Sequence, residues 1–194
     1  MTKPVRVVLF GDFTCPFSYV TETALRTLSG ELPLELEPRA LELYPAPHPL
    51  PFDAMDARVQ AAAPLAAELG LELRTPAVLP RTRKAHEVAL FAREKGVEAA
   101  MRTAIYRAFF ADGLDIGRID VLVGLAVGVG LDATESRVVL DVDRYTGAVL
   151  ADAELARRAG IESTPTIVAG TGADARVVTG ALPLAELREI LGEP

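Results

Sequence analysis

The sequence predicts a mixed α/β fold on three observations. Residues 5–43 read as strand, helix, strand; the stretch from about Met55 to Asp143 reads as helix throughout; and from Tyr145 to Gly192 the pattern is helix, strand, strand, helix. The chain has 194 residues, half of them apolar and 24% charged, so it can bury a sizeable core as one domain, or as one domain with an insertion. Its formal net charge of −7, with no basic stripe, argues against nucleic acid and against an anionic membrane surface as partners. MTKPVRVVLF lacks the apolar run of a secretory signal, and no stretch approaches the ~18 apolar residues of a membrane span. One cysteine, Cys15, excludes an internal disulfide framework and fits a reducing cytoplasm. No metal site is expected, because one cysteine and two scattered histidines, His48 and His86, are too few for structural zinc.

Each element has its own signal. VRVVLF (5–10) is apolar and β-branched with no sustained alternation, the mark of a strand buried on both faces. Phe17, Tyr19, Val20, Ala24, Leu25 and Leu28 recur at helical spacing, with Gly30 closing the run. Leu32, Leu34 and Leu36 alternate as a second strand, which can resume at Ala40–Leu43. YPAPHPLPF (44–52) then carries four prolines in nine residues and can be neither helix nor central strand, so it marks the first boundary. VQAAAPLAAELG, TRKAHEVALFAREKG, EAAMRTAIYRAFFADG and DVLVGLAVGVGLD follow as helices, most of them ending in Gly, with Pro64 expected to kink or restart the first. YTGAVLADAELARRAG is a further helix. TIVAG and RVVTG pair as a hairpin around TGADA, and ALPLAELREILG closes as a helix with Pro183 near its first turn.

The chemistry concentrates at GDFTCPFSYV (11–20). Pro16 stands where the first helical residue should be, which puts Cys15 at or next to the N-cap. There the unpaired backbone N–H groups and the helix dipole favour a thiolate over a thiol. A cysteine in mid-helix would by default be a buried structural residue; one at a strand-to-helix turn followed by proline reads as functional. The second feature is GIESTPTIV (160–168), where Thr164-Pro165 precedes a short strand. From local sequence alone, a trans proline at a strand start is the default.

DFTCPFSYV, followed about 150 residues later by STPTIV, resembles the thioredoxin-fold family, and within it the DsbA-like branch with a helical domain inserted in the core. TRKAHEVALFAREKG, FADGLDIGRIDVLVGLAVGVGLD and VVTGALPLAELREIL are similar to the FrnE-type disulfide isomerases, over nearly the whole chain. Where that group opens its helix with Cys-Pro-Trp-Cys, this sequence has Cys15, Pro16, Phe17 and Ser18. PFSY also resembles the Ser-Pro-Tyr/Phe-Ser-Tyr opening of the 2-hydroxychromene-2-carboxylate isomerases and kappa-class glutathione transferases, with Cys15 in place of the first serine. The resemblance implies a thioredoxin-like core with a helical insertion and a cis Thr164–Pro165 bond; the proline-rich break after Leu43 and the return of strand patterns near Thr166 put the core at 1–48 and 144–194 and the insertion at 49–143. The resemblance also implies that the backbone of Thr164 receives an extended peptide or glutathione.

In a dithiol site the second thiolate attacks the mixed disulfide formed by the first. Ser18 cannot do that, though its hydroxyl can donate to the Cys15 sulfur. The expected activity is therefore that of a monothiol disulfide oxidoreductase or isomerase working through mixed disulfides at Cys15. Cys15 and Ser18 are the catalytic candidates, and Pro16, Phe17, Thr164 and Pro165 the substrate-binding ones. No cofactor is expected to be resident; glutathione is the candidate co-substrate, a thiol or disulfide peptide the candidate substrate, and a homodimer the candidate assembly. Two alternatives stand beside this: a glutathione-dependent isomerase or transferase, and a peptide-binding fold without catalysis. Among weaker candidates, His86 reads as a surface or satisfied histidine and His48 as exposed. Tyr19 and Phe17 can flank the sulfur, with Tyr19 equally a core residue. Arg81, Arg83 and Lys84, at a helix start after Pro80, read as a solvated helix end that can also hold an anion.

Overall fold

A computed structural model describes residues 4–192. Its sheet has four strands, β1 (Val5–Gly11), β2 (Leu34–Ala40), β3 (Thr166–Ala169) and β4 (Arg176–Thr179), in the order β2-β1-β3-β4. β1 runs parallel to β2, with Val7 opposite Leu36, and antiparallel to β3, with Leu9 opposite Ile167. Parallel neighbours need a crossover, and α1 (Pro16–Leu28) supplies it. β3 and β4 form the expected antiparallel hairpin. β2 is one strand ending at Ala40 and does not resume over 41–43. It contains Pro38, which a strand at the sheet edge tolerates because no second ladder needs the missing N–H.

The remaining helices are α2 (Met55–Glu68), α3 (Arg83–Glu94), α4 (Glu98–Phe110), α5 (Ile119–Gly128), α6 (Ala133–Asp141), α7 (Thr146–Arg158) and α8 (Leu184–Gly192). The helical stretch is more broken than expected at one place and less at another. Of the two outcomes expected at Pro64, a kink or a restart, the restart does not occur: Pro64 lies inside α2. Residues 69–82 form no helix, so the stretch is not continuous between α2 and α3. The glycine stops hold: Gly96 after α3 and Gly160 after α7 adopt φ of 77° and 69°, a region costly for any residue with a Cβ. Among the described residues every strand lies within 5–40 or 166–179. On that distribution we propose the division into a core of 1–48 and 144–194 with 49–143 inserted; its ends, 1–3 and 193–194, lie outside the described residues.

Two apolar cores meet at α1. Ala24, Leu25 and Leu28 pack with Val7 and Leu9 of β1, Ile167 of β3, and Leu187 and Leu191 of α8. The other face of the sheet presents Phe10 to Ala156 and Ile161 at α7, so β1 is covered on both sides, as its unbroken apolar run requires. The second core holds Phe91, Met101, Ile105, Tyr106, Phe109 and Phe110 from α3 and α4, and takes in Phe13 from the turn before α1 and Tyr19 from its first turn. Each such side chain contributes about 1.5–3 kcal/mol on burial. One charged pair crosses between the cores: Arg102 of α4, 2% exposed, donates to both Glu22 oxygens at 2.7–2.9 Å. Arg26 adds a bond to Glu22 at 2.6 Å, and the Arg102 guanidinium lies 4.8 Å from the centre of the Phe13 ring. Burial opposes the charge on Glu22, but the two arginines outweigh it and hold its pKa below the usual glutamate value.

Candidate functional site

The turn between β1 and α1 is built by Asp12, which is 1% exposed. One oxygen of its carboxylate accepts from the Thr14 N–H at 2.7 Å and from the Thr14 hydroxyl at 2.5 Å, an Asx-type turn. The other accepts from the Leu43 N–H at 3.2 Å and the Thr82 hydroxyl at 2.7 Å, and lies 3.6 Å from Nε2 of His86. One residue thus ties the turn to the segment after β2 and to the start of α3. Thr82 stands at the N-cap of α3 but gives its hydroxyl to Asp12 and not to the helix. Burial disfavours the Asp12 carboxylate, yet His86, Thr14 and Thr82 together more than offset it, and its pKa lies below the usual aspartate value.

Held by this turn, Cys15 is the N-cap of α1 in extended conformation and Pro16 is the first helical residue, as expected. The thiol is free and fully buried. Sγ lies 3.4 Å from the Thr164 carbonyl oxygen, to which the thiol can donate. The Thr164–Pro165 bond is cis; Ala46–Pro47 is cis as well, which the sequence reading did not foresee. A second group faces the sulfur from α2: Nη2 of Arg58 at 3.6 Å, while Nη1 of the same side chain bonds the Tyr44 hydroxyl. Phe17 is half-buried at the mouth of the turn, and Pro165 is buried, its carbonyl accepting from Gly180 N–H at 2.8 Å.

Ser18 departs from expectation. Its hydroxyl accepts from the Asp12 N–H at 3.3 Å, and among the described residues no hydrogen bond joins it to Sγ. The third helical residue points back at the end of β1, where Gly11 leaves space; a Cβ at Gly11 would stand 3.4 Å from both Cβ and Oγ of Ser18. The weaker candidates divide. Tyr19 is core, stacked on Tyr106 at 4.9 Å and on Phe110 at 6.0 Å. His48 is exposed. His86 is not a surface histidine: it is 1% exposed, 4.8 Å from the Phe13 ring, with neither ring nitrogen hydrogen-bonded among the described residues. The basic cluster is half-buried, and each of its members already has hydrogen-bond partners. Arg81 bonds the carbonyls of Tyr44 and His48, Arg83 bonds Glu42, and Lys84 bonds Asp143 and the Leu140 carbonyl.

Three participants escaped the sequence reading. Asp12 had a local signal, an Asp two residues before Thr14 at a strand end. Arg58 and Tyr106 had none, because they are brought in from residues 43 and 91 positions beyond Cys15. The Tyr106 hydroxyl is buried without a partner among the described residues, 3.6 Å from where a Gly11 Cβ would be.

The DSBA-like thioredoxin domain model matches residues 6–192. The chain belongs to that family. YwbO of Bacillus subtilis is 30% identical over 174 residues, covering 86% of this chain and 87% of YwbO. Among solved structures, a probable DsbA oxidoreductase of Streptomyces coelicolor is 29% identical with a TM-score of 0.83, over 98% of this chain and 91% of that one. Two more distant structures share the fold. A 2-hydroxychromene-2-carboxylate isomerase has a TM-score of 0.78 at 18% identity, over 96% and 94% of the two chains. The disulfide reductase DsbM of Pseudomonas aeruginosa, solved with glutathione, has 0.72 at 19% identity, over 97% and 100%. The expected fold class, an α/β thioredoxin-like domain of the DsbA branch, is the one observed, and the family is one of thiol-disulfide oxidoreductases. No described helix is long and apolar enough to cross a membrane.

Proposed function

We propose that this chain is a monothiol disulfide oxidoreductase or isomerase that works through mixed disulfides at Cys15 with glutathione as co-substrate. The observation that carries the reading is the setting of the only sulfur nucleophile. It caps α1, faces the Thr164 carbonyl at 3.4 Å, and has a serine three residues on, where the dithiol members carry their second thiol. The Cys15 thiolate attacks one sulfur of a disulfide RSSR; the S–S bond breaks, Cys15–S–S–R forms, and RS⁻ leaves to take up a proton. Ser18 holds no electron pair able to displace R, so a glutathione thiolate attacks the R sulfur, releasing RSSG and the Cys15 thiolate. The net exchange is RSSR plus GSH to RSSG plus RSH. Phe17, Pro165 and the Thr164 backbone are the surfaces against which R would lie, by strand addition if R is a peptide. Such a cycle belongs in a reducing compartment, and DsbM, described as cytosolic, is compatible with a cytoplasmic setting.

The test is turnover of hydroxyethyl disulfide at the expense of glutathione. Wild type should sustain it and Cys15→Ser should not; equal rates for the two would remove Cys15 from the reaction. A second reading, a glutathione-dependent isomerase or transferase without net redox change, draws on the PFSY pattern and on the likeness to the 2-hydroxychromene-2-carboxylate isomerase structure. Calorimetric glutathione binding without disulfide turnover would favour it.

A further inference from the structure

The Cys15 sulfur is fully covered, and the only side chain hydrogen-bonded to it among the described residues is Arg58. Arg83 pairs with Glu42 and Arg39 with Asp152, while Arg81 is taken up by the carbonyls of Tyr44 and His48. Arg58 has no carboxylate partner among the described residues; its guanidinium N–H groups go to the Tyr44 phenol oxygen and, at 3.6 Å, to a single sulfur, neither of which offers the paired oxygens that a guanidinium matches best. Arg58 is therefore a cation without a carboxylate partner among the described residues, on a chain of net charge −7. A guanidinium matches a carboxylate with two parallel N–H···O bonds, so a carboxylate arriving with the disulfide offers it better partners than those it has.

We infer that Arg58 is the specificity residue of the site. It receives a carboxylate of a small anionic disulfide such as glutathione disulfide, and in turning to it leaves the sulfur open to attack. The inference rests on the reading of Cys15 as the exchanging thiol. It gives the covered state of the sulfur a reason: a neutral disulfide has nothing with which to draw the guanidinium away. Arg81, bonded to the Tyr44 and His48 carbonyls, keeps the backbone around Tyr44 in place while Arg58 moves.

The experiment compares Cys15 alkylation by iodoacetate, which carries a carboxylate, and by iodoacetamide, which is neutral. Wild type, Arg58→Gln and Arg58→Lys are then compared in adduct formation with glutathione disulfide and with hydroxyethyl disulfide. For one well-placed charge pair the iodoacetate-to-iodoacetamide ratio should fall about tenfold in Arg58→Gln and be partly kept in Arg58→Lys. The preference for glutathione disulfide over hydroxyethyl disulfide should fall in parallel. An equal fall for both alkylating agents would show that Arg58 acts on the sulfur alone and would overturn the inference, as would unchanged ratios or a wild-type cysteine that neither reagent labels. If Arg58→Gln does not fold, wild type still decides: the preference for glutathione disulfide should shrink as salt rises from low to high, and a salt-independent preference would refute the charge contact. Iodoacetate selectivity that depends on Arg58, with no adduct from any disulfide, would leave the anion site standing and sink the exchange reading.

Discussion

Asp12 and Cys15 sit three residues apart on one turn, both buried, and are held in opposite ways. The Asp12 carboxylate accepts four hydrogen bonds from three separate segments, whereas the Cys15 sulfur has two contacts, at 3.4 and 3.6 Å, with sulfur a weaker hydrogen-bonding atom than a carboxylate oxygen. The difference teaches where the rigidity of the site comes from. On the proposed reading, a reacting sulfur gains nothing from strong bonds it must break; the turn is fixed by its carboxylate neighbour and the sulfur is held by weaker contacts at the helix N-terminus.

The largest effect should come from the loosely held side. Ser18→Cys places a second thiol one helical turn from Cys15, the arrangement of the dithiol members. After oxidised glutathione is added, the glutathione adduct should fall at least about tenfold relative to wild type and give way to an internal disulfide, read by intact mass with and without alkylation. The variant also gives up the Ser18 bond to Asp12, so a loss of about 1 kcal/mol in urea stability should accompany it.

The firmly held side predicts stability losses. Arg102→Ala leaves Glu22 buried with only the partly exposed Arg26, and urea unfolding should show a loss of about 3–5 kcal/mol. Asp12→Ala strands the Thr14 and Leu43 N–H groups and the Thr82 hydroxyl; at about 1 kcal/mol or more for each, a loss near 3 kcal/mol is expected. If Asp12→Ala were as stable as wild type, the contrast between the two residues would collapse.

The same residue sets a pH dependence. Asp12 and Glu22 both have pKa values lowered by folding. Their stabilisation is complete above the unfolded carboxylate values, about 3.9 and 4.3, and is lost as pH falls through the lower folded values. Urea midpoints should therefore drop on acidification from about pH 5 to pH 3, and less steeply in Asp12→Asn than in wild type. The smallest effect belongs to Tyr106→Phe. Its hydroxyl is buried with no partner among the described residues, so the variant should be unchanged or up to about 1 kcal/mol more stable in the same assay.

How much of this was legible in the sequence depends on the range over which each feature is decided. The strand run before Cys15, Pro16 at the helix start and the TIVAG–RVVTG hairpin are set by neighbours, and all appear where expected. Resemblance to the family, and not local pattern, pointed to the cis Thr164–Pro165 bond. The misreadings are tertiary. His86 looked like a surface or satisfied histidine because its neighbours Asp12 and Phe13 stand on the turn after β1, far away in the chain. Arg81, Arg83 and Lys84 looked free because their partners lie on the segment after β2 and beyond α6. Arg58 was invisible for the same reason, since nothing in its own helix marks it as a neighbour of sulfur.

Intact-mass spectrometry of wild-type protein held with oxidised glutathione is the most direct measurement of the central claim, that Cys15 is a reactive thiol with no internal partner to resolve it. The account predicts one glutathione per chain, removed by dithiothreitol and absent in Cys15→Ser. A wild-type chain that stays at its unmodified mass, while unfolded chain under the same conditions takes up glutathione, would contradict it and make Cys15 a structural residue.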